Sequence, residues 1–177
     1  IGYIYLGIGI SPEAGILAAL FHILTHAVTK PPLFLAAARL CDVAGGKKRF
    51  ADLQGAAWSN HLAGAAFTAG AFSMIGLPLT MGFISKYLFA LSAFRANIKM
   101  VPTLIILALS TVLNTLYFAR TVLRIYGHPS GTPAGVMPVR KQRSYAAAAI
   151  LFAVFNFAAG VAASPLIDIL ERGLAMF

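Results

Sequence analysis

Two groups of ionisable residues stand inside apolar sequence, where charge is costly. Between residues 14 and 38 the ionisable side chains are His22, His26 and Lys30, spaced i, i+4, i+8. On a helix this spacing climbs about 12 Å and drifts only about 80° around the axis. It predicts one polar stripe directed into the protein. A lysine at the centre of a membrane helix costs at least about 2.5 kcal/mol, so each such group needs a reason. Imidazoles titrate near neutral pH, and two of them in line with an amine are the ingredients of a proton relay. The plainer alternative is that the histidines hydrogen-bond neighbouring helices and Lys30 reaches an interface along its aliphatic stem.

Lys86 is the second case. It is the only charged residue between His61 and Arg95, and it follows the break Gly76-Leu77-Pro78-Leu79-Thr80-Met81-Gly82. Gly76, Pro78 and Gly82 mark a helix break, and broken membrane helices expose helix ends and free carbonyls where ions are handled. If the break were instead a turn outside the membrane, Lys86 would lie about one turn from lipid headgroups and could simply reach them. The acids are placed differently: Glu13, Asp42, Asp52, Asp168 and Glu171 all fall at span ends or in loops. Neither lysine has a counter-ion on a span within the chain. Asn114 and Asn156 are candidate polar links between helices.

The elements that must position these groups follow from composition. Of 177 residues, 59% are hydrophobic and 11% charged, with a mean hydropathy of +0.82. An ordinary soluble domain is about a quarter charged, so this is a polytopic membrane protein. Disorder is excluded by the apolar content, and a disulfide scaffold by the single cysteine, Cys41. The net charge of +9 could suggest nucleic acid, but the basic residues cluster between apolar runs, as topology determinants do. No nucleic-acid, cofactor or metal site is expected: the chain has no phosphate loop, cysteine pair or HExxH motif. The expected fold is all-α, a transmembrane helix bundle with one discontinuous helix, forming one domain over 1–177.

The spans read as a partial one at 1–10, then 13–40, 61–94 broken at 76–82, 101–124 and 144–164. Ile1 lies inside an apolar run too short to cross a bilayer, which reads as the tail of a helix that starts upstream. The chain therefore looks like a fragment. Ser11-Pro12-Glu13 is a helix start, and Pro31-Pro32 should interrupt the first full span after Lys30. A polar loop is expected over 42–58 and an irregular Gly/Pro-rich one over 127–142. Pro165 restarts the chain into a segment, 166–172, that could lie along the interface.

Two readings of 61–94 compete: two short helices, or one broken helix. A turn outside the membrane would put Lys47, Lys48 and Arg49 on the side opposite the cluster Arg120, Arg124, Arg140, Lys141 and Arg143. A single broken helix puts both clusters on one side, opposed only by Arg95 and Lys99, and this satisfies the positive-inside tendency.

His22-Ile-Leu-Thr-His26-Ala-Val-Thr-Lys30, followed by Leu33-Phe34-Leu35, resembles the H-x3-H-x3-K-x2-LFL segment of antiporter-like subunits, found in respiratory complex I and in Mrp-type cation/proton antiporters. Gly76-Leu77-Pro78 with Gly82-Phe83-Ile84-Ser85-Lys86 resembles their GLPP-x2-GF-x-[SG]-K element, and Ile1-Gly2-Tyr3 the end of a preceding helix. The chain departs from the pattern at Pro31-Pro32 and at Leu79, which stands where a second Pro is usual.

The resemblance implies that His22, His26, Lys30 and Lys86 belong to a hydrated polar axis carrying protons. It also implies a discontinuous second element. The implied role is a proton-translocating subunit of an NADH:quinone oxidoreductase-like complex, in a bacterial inner membrane, with no cofactor of its own. Its partners would be other membrane subunits, the bilayer and protons, with Na+ as a further cation. Alternatives are a subunit of an Mrp antiporter or membrane-bound hydrogenase, or a structural subunit that conducts nothing.

Overall fold

In an apolar solvent each backbone amide needs an internal partner, so a chain this rich in Leu, Ile, Ala and Phe folds into helices. The computed structural model describes residues 1–11, 13–128 and 143–176. The expected role of Pro12 and the expected irregular loop from 129 onward, with Arg140 and Lys141, lie outside the described residues. Among the described residues there is no strand.

The elements are α1 (Gly2–Ile10), α2 (Ala14–Val43), α3 (Ala56–Ser59), α4 (His61–Ile75), α5 (Met81–Phe94), α6 (Met100–Ile125), α7 (Arg143–Val161) and α8 (Ser164–Leu174). Three stretches, Ala14–Val43, Met100–Ile125 and Ser144–Val161, are long and apolar enough to cross a membrane alone; α4 and α5 are shorter apolar helices.

α4 and α5 form one crossing in two halves. Their 15 and 14 residues rise about 43 Å together, and the 26 residues of α6 rise about 39 Å in return. Side-chain contacts fix the direction. Ser92 donates to the Ala14 carbonyl (3.1 Å), His22 meets Ser85 (2.8 Å), and Thr29 meets Ser73 (3.2 Å). Farther along, Leu33 lies against Gly70, so α2 runs antiparallel to α5 and then to α4, across the break.

Both basic regions that can be placed fall at one end. Phe50, next to Lys47, Lys48 and Arg49, lies under the guanidinium groups of Arg120 and Arg124, 5.2 and 5.7 Å from its ring centre. Trp58 Nε1 donates to the Tyr126 carbonyl (2.9 Å). Lys99 is at the other end, donating to the Gly9 carbonyl (2.8 Å). This is the arrangement that the charge distribution favours for a broken helix.

Two expectations need correction. Pro31 and Pro32 lie within a continuous α2 and leave no unwound stretch. Pro32 is buried and lines one crevice together with the small residues Ala66, Ala69 and Gly70 of the neighbouring helix; packing against neighbouring helices is how membrane helices tolerate proline. The segment 42–58 is also not all loop: it holds a 3-10 turn at Phe50–Leu53 and α3.

The core divides in two. Leu40, Ala57, Phe67, Phe118, Ile125 and Tyr145 pack near the basic end. Phe21, Met81, Phe89, Leu107 and Ala159 pack near the other, where Leu166, Ile167 and Leu170 of α8 cover them. Polar residues occupy the level between the two clusters.

Candidate functional site

The break positions the site. α4 ends in a Schellman turn: Gly76 at φ 86° lets its own amide reach the Ser73 carbonyl (3.1 Å) while Leu77 donates to Phe72 (3.0 Å). Pro78 then supplies the second position of a turn closed by Thr80 N to Leu77 O (3.3 Å). Leu79 takes φ 71°, a value that a proline ring cannot adopt. Thr80 caps α5 by accepting from Phe83 N (3.3 Å).

The chain closes tightly around this turn. Gly82 lies directly against the Ser73 carbonyl, and Gly160 of α7 against the Leu79 carbonyl, each too close for a side chain. Glycine is required at both positions by the approach of another backbone.

Lys86 completes the end of α4. Its Nζ donates 2.6 Å to the Ile75 carbonyl, one of the acceptors that a helix end leaves without an intrahelical partner. The negative end of the α4 dipole lies at the same place. The aliphatic stem of Lys86 packs over Gly76, where even a methyl group would approach Cδ to 2.9 Å. Among the described residues the single ion pair is Arg39–Asp42, 3.5 Å, so the partner of Lys86 is a carbonyl and not a carboxylate.

Beside the break is a partly open cavity of about 210 Å³, lined by Tyr3, His22, Thr25, His26, Ser73, Gly82, Lys86, Ser110 and Asn114, among others. It therefore brings His22, His26 and Lys86 together from α2 and α5, with α1 and α6 closing the wall. The imidazole rings of His22 and His26 are 4.2 Å apart, and Tyr3 lies 4.9 Å from His22. Tyr3 Oη and His22 Nε2 are buried without a hydrogen-bond partner among the described residues. A cavity this size with polar walls has room for several waters to serve such groups. Donors and acceptors from five helices, spaced along one cavity, can pass a proton through short hydrogen-bonded steps.

Lys30 is elsewhere. His22 is buried, His26 half-buried and Lys30 exposed; Lys30 does not line the cavity. The drift of about 40° per four residues explains the series, because it carries each successive group farther from the packed face of α2.

Several residues of this polar level were not identified from the sequence. Thr25 and Thr29 follow His22 at i+3 and i+7, the spacing that keeps the inward direction. Thr29 Oγ1 accepts from Asn156 Nδ2 (2.8 Å) and bonds Ser73 Oγ (3.2 Å), which ties α2 to α7 and α4. Ser85, beside Lys86, holds His22 Nδ1. The stripe His22, Thr25, Thr29 was the available signal. Among the described residues no group of three or more His, Cys, Asp or Glu could hold a metal ion.

Comparison with known proteins places these features in a family. A family profile described as "NADH:quinone oxidoreductase/Mrp antiporter, TM" matches residues 1–114, which include α1 to α5 and both sequence elements. NADH-quinone oxidoreductase subunit N of Desulforudis audaxviator is 36% identical over 126 residues, covering 71% of this chain and 25% of that protein. NADH-quinone oxidoreductase subunit N 2 of Sorangium cellulosum is 28% identical over 176 residues, covering 99% of this chain and 34% of that protein. NADH-quinone oxidoreductase subunit M of Rickettsia prowazekii is 33% identical over 119 residues, 67% of this chain and 23% of its own length. The chain thus spans about a quarter to a third of the length of these relatives.

A structure of the Mrp complex from Dietzia sp. DQ12-45-1b superposes with a TM-score of 0.81 at 23% identity, covering 98% of this chain and 40% of the matched one. That likeness concerns the fold. With the profile matching well over half of the chain, this integral membrane protein belongs to the NADH:quinone oxidoreductase/Mrp antiporter transmembrane family.

Proposed function

We propose that this chain is part of a proton-translocating membrane subunit of an NADH:quinone oxidoreductase-like complex, in which protons move along His22, His26 and Lys86. The observation that carries the reading is the shared cavity: it joins two imidazoles to an amine beside the break between α4 and α5. Lys86 can exchange a proton with groups across the cavity while Ile75 O continues to hold it. Electron carriers would reside in partner subunits, since the chain's own groups are suited to proton transfer. Relatives named as subunits N and M favour the oxidoreductase over an Mrp antiporter, and their bacterial origin favours the plasma membrane. Lys30, exposed on the same helix, is suited to meet a carboxylate from another segment or subunit.

The test is proton uptake by proteoliposomes containing the full-length protein in its complex. His22→Phe keeps an aromatic ring against Tyr3 and Phe89 but carries no proton. It should reduce proton movement per assembled complex at least about tenfold, the low end of what a positioned acid–base group loses when deleted. Wild-type proton movement with normal assembly would refute the role of His22 and favour a structural subunit.

A further inference from the structure

At the basic end of α6, a second cavity of about 420 Å³ is lined by Phe50, Leu116, Tyr117, Arg120 and Thr121. Its floor and walls are apolar, and a guanidinium stands at its rim. Arg120 and Arg124 occupy i and i+4 of α6, so their like charges face one another on one side of the helix and repel. Both are drawn over the ring of Phe50, and Arg124 Nε also donates to the Phe50 carbonyl (3.4 Å). Asp52 is two residues away, yet among the described residues neither arginine has a carboxylate within 4 Å. Lys47, Lys48 and Arg49 enter the same region immediately before Phe50.

One guanidinium lining an apolar cavity, with a second one turn along α6 against the same Phe50 ring, defines the ligand by its chemistry. The head must be an anion with several acceptor oxygens, because arginine recognises phosphate through paired N–H donors. The remainder must be apolar and elongated. Leu116 and Tyr117 line the cavity, and Leu109 and Leu113 extend the exposed apolar face of α6 away from the arginines, about 12 Å from Leu109 to Tyr117 by helix rise. A small inorganic anion would satisfy the rim and leave the groove unused; an anionic phospholipid fits both parts. Basic pockets on the positive side of a membrane protein are where such headgroups dock.

We infer that Arg120 and Arg124, with the groove beside Phe50 and Leu116, form a binding site for an anionic phospholipid, its phosphate between the guanidiniums and one acyl chain along α6. The site is independent of the proton cavity. Full-length protein, purified in mild detergent and stripped of lipid, would be given phosphatidylglycerol or phosphatidylcholine with the same acyl chains. Native mass spectrometry then reads the bound fraction.

Wild-type protein should retain phosphatidylglycerol preferentially, and Arg120→Gln/Arg124→Gln should lose that retention about tenfold or more. Leu116→Trp, which blocks the groove with both arginines present, should lose it as well. Equal retention of the two lipids, or full retention by either variant, would overturn the inference. Displacement of phosphatidylglycerol by millimolar inorganic phosphate would reassign the site to free anions. A cross-link from Leu116→Cys to another membrane subunit, with no lipid bound, would reassign the groove to a protein contact.

Discussion

Lys86 has two roles to distinguish, a cap on α4 and a carrier of protons, and one pair of substitutions separates them. Lys86→Met keeps the apolar stem that packs over Gly76 but removes the donor to Ile75 O. That bond is 2.6 Å long, and a hydrogen bond to a charged group contributes about 1.5–3 kcal/mol. Lys86→Met should therefore destabilise the full-length protein by about 2 kcal/mol, read as a lowered unfolding midpoint in detergent. It should also stop proton movement. Lys86→Arg restores a cation and its donors, and the cavity of about 210 Å³ beside Lys86 has room for the larger head. Arginine is too basic to release its proton in a protein.

The expected result is that Arg recovers most of the stability lost with Met and leaves proton movement near the Met level. The assay is dye-reported acidification of proteoliposomes, normalised to assembled complex and run beside the unfolding measurement. If Lys86→Arg translocates protons at the wild-type rate, Lys86 is a helix cap and the proposed pathway through it is wrong.

Two further predictions concern the packing that holds the break in place. Gly82→Ala drives a methyl group into the Ser73 carbonyl. Backbone must move, so the cost should be about 3 kcal/mol, visible as reduced protein in membranes; normal levels would mean that the approach of α5 to α4 is looser than described. Thr29→Val preserves volume but removes the hydroxyl shared by Ser73 and Asn156. Hydrogen bonds between membrane helices average about 0.6 kcal/mol and reach about 1.7. A fall in unfolding midpoint is expected, and an unchanged midpoint would show that these helices do not depend on the link.

The chain's helical organisation was legible because hydropathy and loop charge act over whole segments. Lys47, Lys48 and Arg49 together with Arg120 and Arg124 indicated how 61–94 crosses, since a second turn would have divided them between two sides. The inward face of α2 was harder to read. His22, His26 and Lys30 stand out because charge in apolar sequence is rare, but their spacing overshoots one helical turn and carries Lys30 to the surface. Thr25, Thr29, Ser73 and Ser85 are ordinary in a membrane helix, where a hydroxyl can return its hydrogen bond to its own backbone, as Thr25 does to Phe21 O at 2.9 Å. Only the packing of α4, α5 and α7 against α2 selects which hydroxyls link helices. Pro31-Pro32 misled for a related reason: local chemistry disfavours a helix there, and the small residues of α4 that accommodate Pro32 lie more than thirty positions away.

The absence of acids from the spans also bears on how Lys86 can work. Glu13, Asp42 and Asp52 fall at helix ends or between helices, and Asp168 and Glu171 lie on the short helix α8, so within this chain the partner of Lys86 is the carbonyl that the break exposes. A carboxylate beside a lysine favours the ammonium form and holds the proton it would have to release. A carbonyl accepts a hydrogen bond from an ammonium and from a neutral amine alike, so the contact with Ile75 O can persist as the proton leaves. The Schellman turn occupies the Phe72 and Ser73 carbonyls through backbone amides, which leaves Ile75 O for the side chain. Gly76 and Gly82 permit this geometry, the first through its positive φ and its open space for the lysine stem, the second through its contact with Ser73. On the proposed reading, the interrupted helix holds the amine of Lys86 through a contact that both of its protonation states can make.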